Sequence, residues 1–462
     1  MACLGTVYSW SLFTQPLIAA FGWSNATTTW SFALCIFFLG VGAIIGGFWQ
    51  DRRGPRVVAV TGMLLWAAGN VLAGLGTASL GAWWTYLTYG LIGGLGLGLG
   101  YVTPVAAVTK WFPDKRGLGS GMVVMGFGLG AFLYNLLLKA IPAFSAVSQE
   151  AGAVLASRAG GAATAALSDG SVRTLMMTFI VSGVVYAILG GICAAQLRNP
   201  EPGWAPAGAD TAPAARTARA EGAPRTASTS RPAGTPEKPA TVTAAQAGAR
   251  RDYPPSEAMR TPKFWALWMM LFLNVTAGIL FISNAVPIMR ELTGASAETA
   301  LAVYGFIALF NGLGRFFWGA VSDRIGRNGA YLLIYGLQVG IFFVVGGVNS
   351  LVLVAALFAV VLLCYGGGFG TMPSFTADYF GTKYMGVNYG WILLAWGVGG
   401  IVGPIFVAAV KDRTGSFTGA LPVIAAMLAA AMVLPLVTRR PGEGLHRPFW
   451  RGVFPARARQ QG

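Results

Sequence analysis

Apolar positions in this chain fall in unbroken runs of spanning length rather than in stripes. The runs lie near residues 2–20, 28–49, 57–78, 82–108, 117–141 and 174–197, then near 263–288, 299–320, 329–348, 350–377, 386–410 and 416–437. A run of about 20 such residues crosses the hydrocarbon core of a bilayer as a helix, so the pattern predicts an all-α membrane protein with about twelve transmembrane helices. Residues 198–261 are rich in Ala, Pro, Thr, Arg and Gly and hold almost no large apolar side chains. Such a segment cannot build a core, and it predicts a disordered cytoplasmic linker. The linker divides an N-terminal six-helix bundle, residues 1–197, from a C-terminal one, residues 262–440, and residues 441–462 remain as a basic cytoplasmic tail. A second polar stretch, residues 142–172, is rich in Ala, Gly and Ser and is expected on the outer side.

The two halves echo each other. Gly47-Phe-Trp-Gln-Asp51-Arg52-Arg53-Gly54-Pro55-Arg56 after the second run recurs as Gly319-Ala-Val-Ser-Asp323-Arg324-Ile-Gly326-Arg327 after the eighth. A looser echo pairs Pro104, Trp111-Phe112 and Gly117 with Pro373, Tyr379-Phe380 and Gly386. Duplicated helix sets related by a pseudo-two-fold axis are the expected cause.

Composition supports the membrane reading. The 462 residues are 55% hydrophobic and only 10% charged, against about 25% charged in soluble domains. Of the charged residues, 32 are basic and 16 acidic, a net charge of +16. In a soluble protein this would suggest nucleic acid. Here the cations cluster in alternate connections, as Arg52, Arg53 and Arg56, then Lys110, Lys115 and Arg116, then Arg324 and Arg327, then Arg439 and Arg440. That is how topology-setting charges fall in cytoplasmic loops, so both termini are expected inside the cell, in the inner membrane, with no nucleic-acid partner. The four cysteines lie in apolar runs without CxxC spacing and read as small apolar fillers. Only Met1 to Val7 precede Tyr8, so either the first helix is short or the true start lies upstream; a cleaved signal peptide would need a basic lead, which is absent.

The duplicated loop G-x-x-x-D-R-x-G-x-R suits a conformational latch. Asp51 or Asp323 can pair with one of Arg52, Arg56, Arg324 and Arg327, or cap a neighbouring helix N-terminus, in one state and let go in another. With this loop the sequence resembles the major facilitator superfamily. Tyr8-Ser-Trp10, Lys110-Trp-Phe-Pro-Asp-Lys-Arg-Gly117, Met259-Arg-Thr-Pro-Lys-Phe-Trp265 and Asn311-Gly-Leu-Gly-Arg315-Phe-Phe-Trp-Gly319 further resemble its oxalate/formate antiporter family, related to the monocarboxylate carriers. The resemblance implies a rocker-switch transporter, with the substrate between two bundles.

Physics selects Arg315 independently. It lies eight residues before Asp323, about 12 Å into the membrane at 1.5 Å per residue. A cation there costs several kcal/mol unless it meets a partner or cavity. No acidic residue lies at comparable depth, so the missing anion is read as the substrate, held by the guanidinium fork. The resemblance agrees, because this arginine matches the family's substrate-binding one. It also implies a lysine on the eleventh helix for a second carboxylate, and the matching residue here is Trp396. One cation suits one carboxylate, which favours lactate, formate or pyruvate over oxalate. Tyr8, Tyr101 and Tyr365 are candidate neutral donors in the same zone, and the resemblance implies that the first two face the substrate. Asn284 and Asn311 are the other polar groups nearby. Related lactate carriers have an Asp where Asn311 stands, and an amide cannot relay a proton, so exchange is favoured.

The G-x-G-x-G-x-G run Gly94 to Gly100 sits within a span and reads as helix packing. No Walker loop and no H-E-x-x-H occur, and the one histidine, His446, lies in the tail. These features call for no cofactor, no metal and no enzyme chemistry. The expectation is a monomeric secondary transporter of small carboxylates in a lipid bilayer. The alternatives are an oxalate:formate antiporter proper or a transporter-like membrane sensor.

Overall fold

The computed structural model describes residues 1–160, 166–201, 204, 251–414 and 419–438. Most of the predicted linker and the whole predicted tail therefore lie outside the described residues. The rest is helical, with no strand among the described residues. The long rods are α1 (residues 2–21), α2 (Asn25–Arg53), α3 (Pro55–Leu80), α4 (Ala82–Trp111), α5 (Arg116–Ala140), α6 (Asp169–Ala195), α7 (Pro262–Thr293), α8 (Glu298–Ile325), α9 (Arg327–Gly347), α10 (Leu351–Phe380), α11 (Met385–Thr414) and α12 (Leu421–Val437). Nine of them, α2 to α6 and α8 to α11, are long and apolar enough among the described residues to cross a membrane. The others, α1, α7 and α12, lie where the first, seventh and twelfth runs were read. Large apolar side chains such as Trp83 and Val352 stand on the outer surface, as lipid-facing positions require.

Local chemistry sets the ends of the rods. Ser24, Ser168, Thr261 and Ser296 each accept a backbone N–H from the first turn of α2, α6, α7 and the helix opening at Ala297, satisfying one of the donors a helix start leaves open. The repeated loop turns on its glycine. Gly54 and Gly326 have φ of 81° and 84°, which a side chain would strain, and both follow the motif aspartate by three residues. The end of the molecule carrying these loops is called the motif end below.

The stretch 142–172 turns out to hold an amphipathic helix, Pro142–Ala159. Its Phe144, Val147, Ala151 and Val154 are buried, and Phe144 meets Phe13 of α1 at 5.6 Å between ring centroids. Arg158 donates to the carbonyls of Ile18 (3.0 Å), which also accepts the Gly22 amide, and Ala19 (2.8 Å), capping the last turn of α1. Glu150 ties the other side to the start of α6. It accepts from the Ser168 amide (2.7 Å), the Ser168 hydroxyl (3.1 Å) and the Ser171 hydroxyl. These bonds, Ser171's first, hold its carboxyl below the ordinary glutamate range.

The two halves meet along two pseudo-symmetric seams, α2 against α11 and α5 against α8. Within the first half, small residues let backbones touch. A side chain at Gly62 would strike the Gly100 amide, and one at Gly46 would come 3.1 Å from the Leu99 Cα, so the glycine run of α4 serves packing.

Candidate functional site

Arg315 projects from the middle of α8 and is 0% exposed. Three rings surround its guanidinium carbon, Phe369 of α10 at 5.0 Å, Phe127 of α5 at 5.5 Å and Tyr8 of α1 at 5.9 Å. Cation–π contacts of this kind contribute about 0.5–2 kcal/mol each, less than a buried guanidinium requires. Its hydrogen bonding is incomplete. Nη1 lies 3.5 Å from the Val124 carbonyl, at the limit of a bond, and Nε and Nη2 have no partner. No ion pair to Arg315 occurs among the described residues. A side chain at Gly128 of α5 would come 3.5 Å from Nε.

Trp396 closes the same box from α11. Its ring lies 4.9 Å from Phe369, 5.7 Å from Phe127, 5.7 Å from Tyr101 and 5.8 Å from Tyr8. Tyr365 joins through Phe369 at 5.5 Å. The buried hydroxyls of Tyr8 and Tyr101 make no hydrogen bond within 3.5 Å, though Tyr8 faces Arg315 and Tyr365 and Tyr101 faces Tyr389, and the Asn311 side-chain oxygen, beside Gly366 of α10, makes none either. Five predicted residues, Arg315, Tyr8, Tyr101, Tyr365 and Trp396, are thus gathered from five helices. Asn311 lies at their edge, and the Asn284 side chain lies outside the described residues. The irregular turn Thr6–Trp10 within α1 presents Tyr8. A buried cation with two unused donors, ringed by two phenylalanines and a tyrosine, can receive one carboxylate.

At the motif end both aspartates cap helices of the opposite half. One Asp51 oxygen accepts the Val387 amide at the start of α11 (3.1 Å). Asp323 accepts the Gly117 (2.9 Å) and Leu118 (2.8 Å) amides at the start of α5. Asp323 also pairs with Arg327 (2.8 Å), Arg327 with Asp378 (2.9 Å), and Asp378 with Arg116 (3.0 Å). Of the predicted cations, Arg327 alone joins a carboxylate; Arg52, Arg56 and Arg324 are exposed and pair with neither motif aspartate among the described residues. The backbones come close enough that a side chain at Gly117 would strike the Gly319 carbonyl, and one at Gly47 that of Gly386. This end is closed.

Residues 1–404 match the family model described as Major Facilitator Superfamily. The chain belongs to that superfamily. It is 28% identical to the oxalate:formate antiporter of Oxalobacter formigenes over 94% of this chain and 89% of that protein. It is also 28% identical to apicoplast pyruvate carrier 1 of Toxoplasma gondii, over 84% of this chain and 78% of that one. A monocarboxylate transporter 13 from Rattus norvegicus matches at 30% over 29% of the chain. The fold resembles a crystal structure of the major facilitator superfamily transporter FucP in the outward conformation, with a TM-score of 0.62, 14% identity, and coverage of 95% of this chain and 98% of that one. The protein is therefore a multi-pass membrane transporter and not an enzyme.

Sequence reasoning missed several residues of this major facilitator superfamily site. Phe127 and Phe369 read as ordinary apolar content within their runs. Arg116 and Asp378 carried a usable signal, since a lone acid at the end of the 30-residue helix α10 needs a partner, and it precedes the Tyr379-Phe380 echo by one residue.

Proposed function

We propose that the protein exchanges or facilitates small monocarboxylates such as lactate, formate or pyruvate by rocker-switch alternating access, with Arg315 as the anion-binding group. The observation carrying this is the fully buried guanidinium with Nε and Nη2 unpartnered and no carboxylate paired to it among the described residues. Such donors cost about 1–3 kcal/mol each when left unmade, and a bound carboxylate supplies two acceptors in the matching plane. The single charge sets the class. Where a dicarboxylate would need a second cation, Trp396 presents an indole, which offers volume and one N–H. Lactate, formate and pyruvate leave a neutral pair, whereas oxalate carries a net negative charge into a site of low dielectric.

Tyr8 and Tyr101 contribute neutral hydroxyl donors, and Asn311 is a further polar neighbour in this reading. Asp51, Asp323 and Arg327 act as the latch, releasing α11 and α5 when the motif end opens. Arg52, Arg56 and Arg324 then set topology, holding the motif end and both termini on the cytoplasmic side of the inner membrane. The closed motif end supports an outward-facing state, and a monomer suffices for the cycle. Thermal-shift screening of the purified protein tests the substrate class, because a ligand that binds the folded state raises its melting temperature. Monocarboxylates are expected to stabilise more than oxalate, and the reverse order would overturn the proposal.

A further inference from the structure

The α5/α8 seam is close only part of the way. Gly117, Gly121 and Gly128 of α5 lie against Gly319, Arg315 and Gly312 of α8, and a side chain at Gly128 would meet the Gly312 Cα at 2.7 Å. Toward the far end the walls part. Gly305 of α8 has nothing within 4 Å of where a side chain would start, and Leu301 is 58% exposed. Positions 117, 128 and 139 are spaced by eleven residues, close to three helical turns. Lys139 therefore continues the seam face of α5, about 16 Å beyond Gly128 at 1.5 Å per residue.

Lys139 stands in a cleft of about 310 Å³ lined also by Leu12, Phe144, Ser145, Ser148 and Gln149. The helix Pro142–Ala159 forms one wall, α5 and α1 the others. Lys139 has no ion pair among the described residues. The Ser148 hydroxyl is turned to the Phe144 carbonyl at 3.2 Å. One ammonium, the Gln149 amide and the Ser145 hydroxyl supply anion donors, while Leu12 and Phe144 supply an apolar floor for a methyl group.

We propose that this cleft is a second, outer site for the same small carboxylates, which concentrates them on the way to Arg315. This rests on the reading of Arg315 as the deep carboxylate site. Lys139 lies about 16 Å along α5 from Gly128, the position beside Arg315 Nε, so the outer site acts by raising local anion concentration rather than by touching the deep one.

The test uses the full chain with Cys3, Cys35, Cys193 and Cys364 replaced and Ser148→Cys introduced, labelled by an anionic thiol reagent. Lactate is expected to slow labelling, while the neutral amide of lactate does not. Protection should persist with Arg315→Gln, disappear with Lys139→Gln and return with Lys139→Arg. In proteoliposomes Lys139→Gln should raise the lactate KM three- to tenfold at low ionic strength with little change in kcat. Absence of protection, its survival in Lys139→Gln, its loss in Arg315→Gln, or equal protection by the amide would overturn the outer site. Lactate uptake lost in Arg315→Gln alongside any of these would leave the deep-site reading intact. Protection that depends on Lys139 in a protein that does not transport lactate would uphold the outer site and defeat the deep one.

Discussion

Replacing Asp323 by Asn removes the charge from the carboxylate that holds the start of α5. The structure gives it two backbone donors, Gly117 at 2.9 Å and Leu118 at 2.8 Å. Hydrogen bonds to a charged group contribute about 1.5–3 kcal/mol each, and the amide retains one acceptor, so about half of the total is lost. The partly solvated pair with Arg327 adds little after screening. A net loss of about 2 kcal/mol from the closed motif end corresponds to roughly a 30-fold rise in the open fraction. Asp51 makes one such bond among the described residues, to Val387, so Asp51→Asn should cost about 1 kcal/mol, near fivefold. The reporter is Ser120→Cys, since the Ser120 hydroxyl is buried at the α5/α10 contact, 3.1 Å from the Gly370 carbonyl. Labelling by an impermeant maleimide applied to the motif side should accelerate about 30-fold in Asp323→Asn and about fivefold in Asp51→Asn. Substrate affinity should change less than twofold, because even a motif end open one time in a hundred would leave most molecules closed after such a shift. Equal labelling rates in parent and variants, or loss of binding in folded protein, would refute the latch.

Three further outcomes follow from the same geometry. Trp396→Lys should shift preference toward oxalate by about tenfold in affinity, or 1.4 kcal/mol, measured by competition against lactate uptake. Gly128→Ala should cut transport more than tenfold while the protein still folds, because the new methyl would lie 2.7 Å from the Gly312 Cα across the seam; undiminished uptake would show that the seam need not close there. Arg158→Ala should destabilise by about 1–3 kcal/mol by leaving the Ala19 carbonyl without its donor, read as a lowered melting temperature.

The spans were legible because lipid imposes a single rule, a long apolar run with all backbone bonds internal. Arg315 was legible for the converse reason, since a cation within such a run violates that rule. Trp396, Tyr8, Tyr101 and Tyr365 could be named from resemblance and depth, but their convergence depends on helix rotation, which an apolar run does not encode. Phe127 and Phe369 were hidden for that reason, being chemically identical to lipid-facing phenylalanines. The helix Pro142–Ala159 was hidden by its small residues, which dilute an apolar stripe of four side chains. In the latch, neither the pairing arginine nor the helix start that each aspartate meets is encoded in the motif, because both depend on how the halves pack. Arg327 prevails over Arg324 because the turn at Gly326 brings the first residue of α9 back beside Asp323, while Arg324 stays exposed.

Radiolabelled uptake into proteoliposomes shows whether one deep cation receives one carboxylate. Lactate and oxalate are compared in the parent and in Arg315→Gln, with folding checked for both. The parent should accumulate lactate in preference to oxalate, and Arg315→Gln should accumulate neither. Oxalate uptake exceeding that of lactate in the parent, or full activity in Arg315→Gln, would remove Arg315 as the single carboxylate-binding cation.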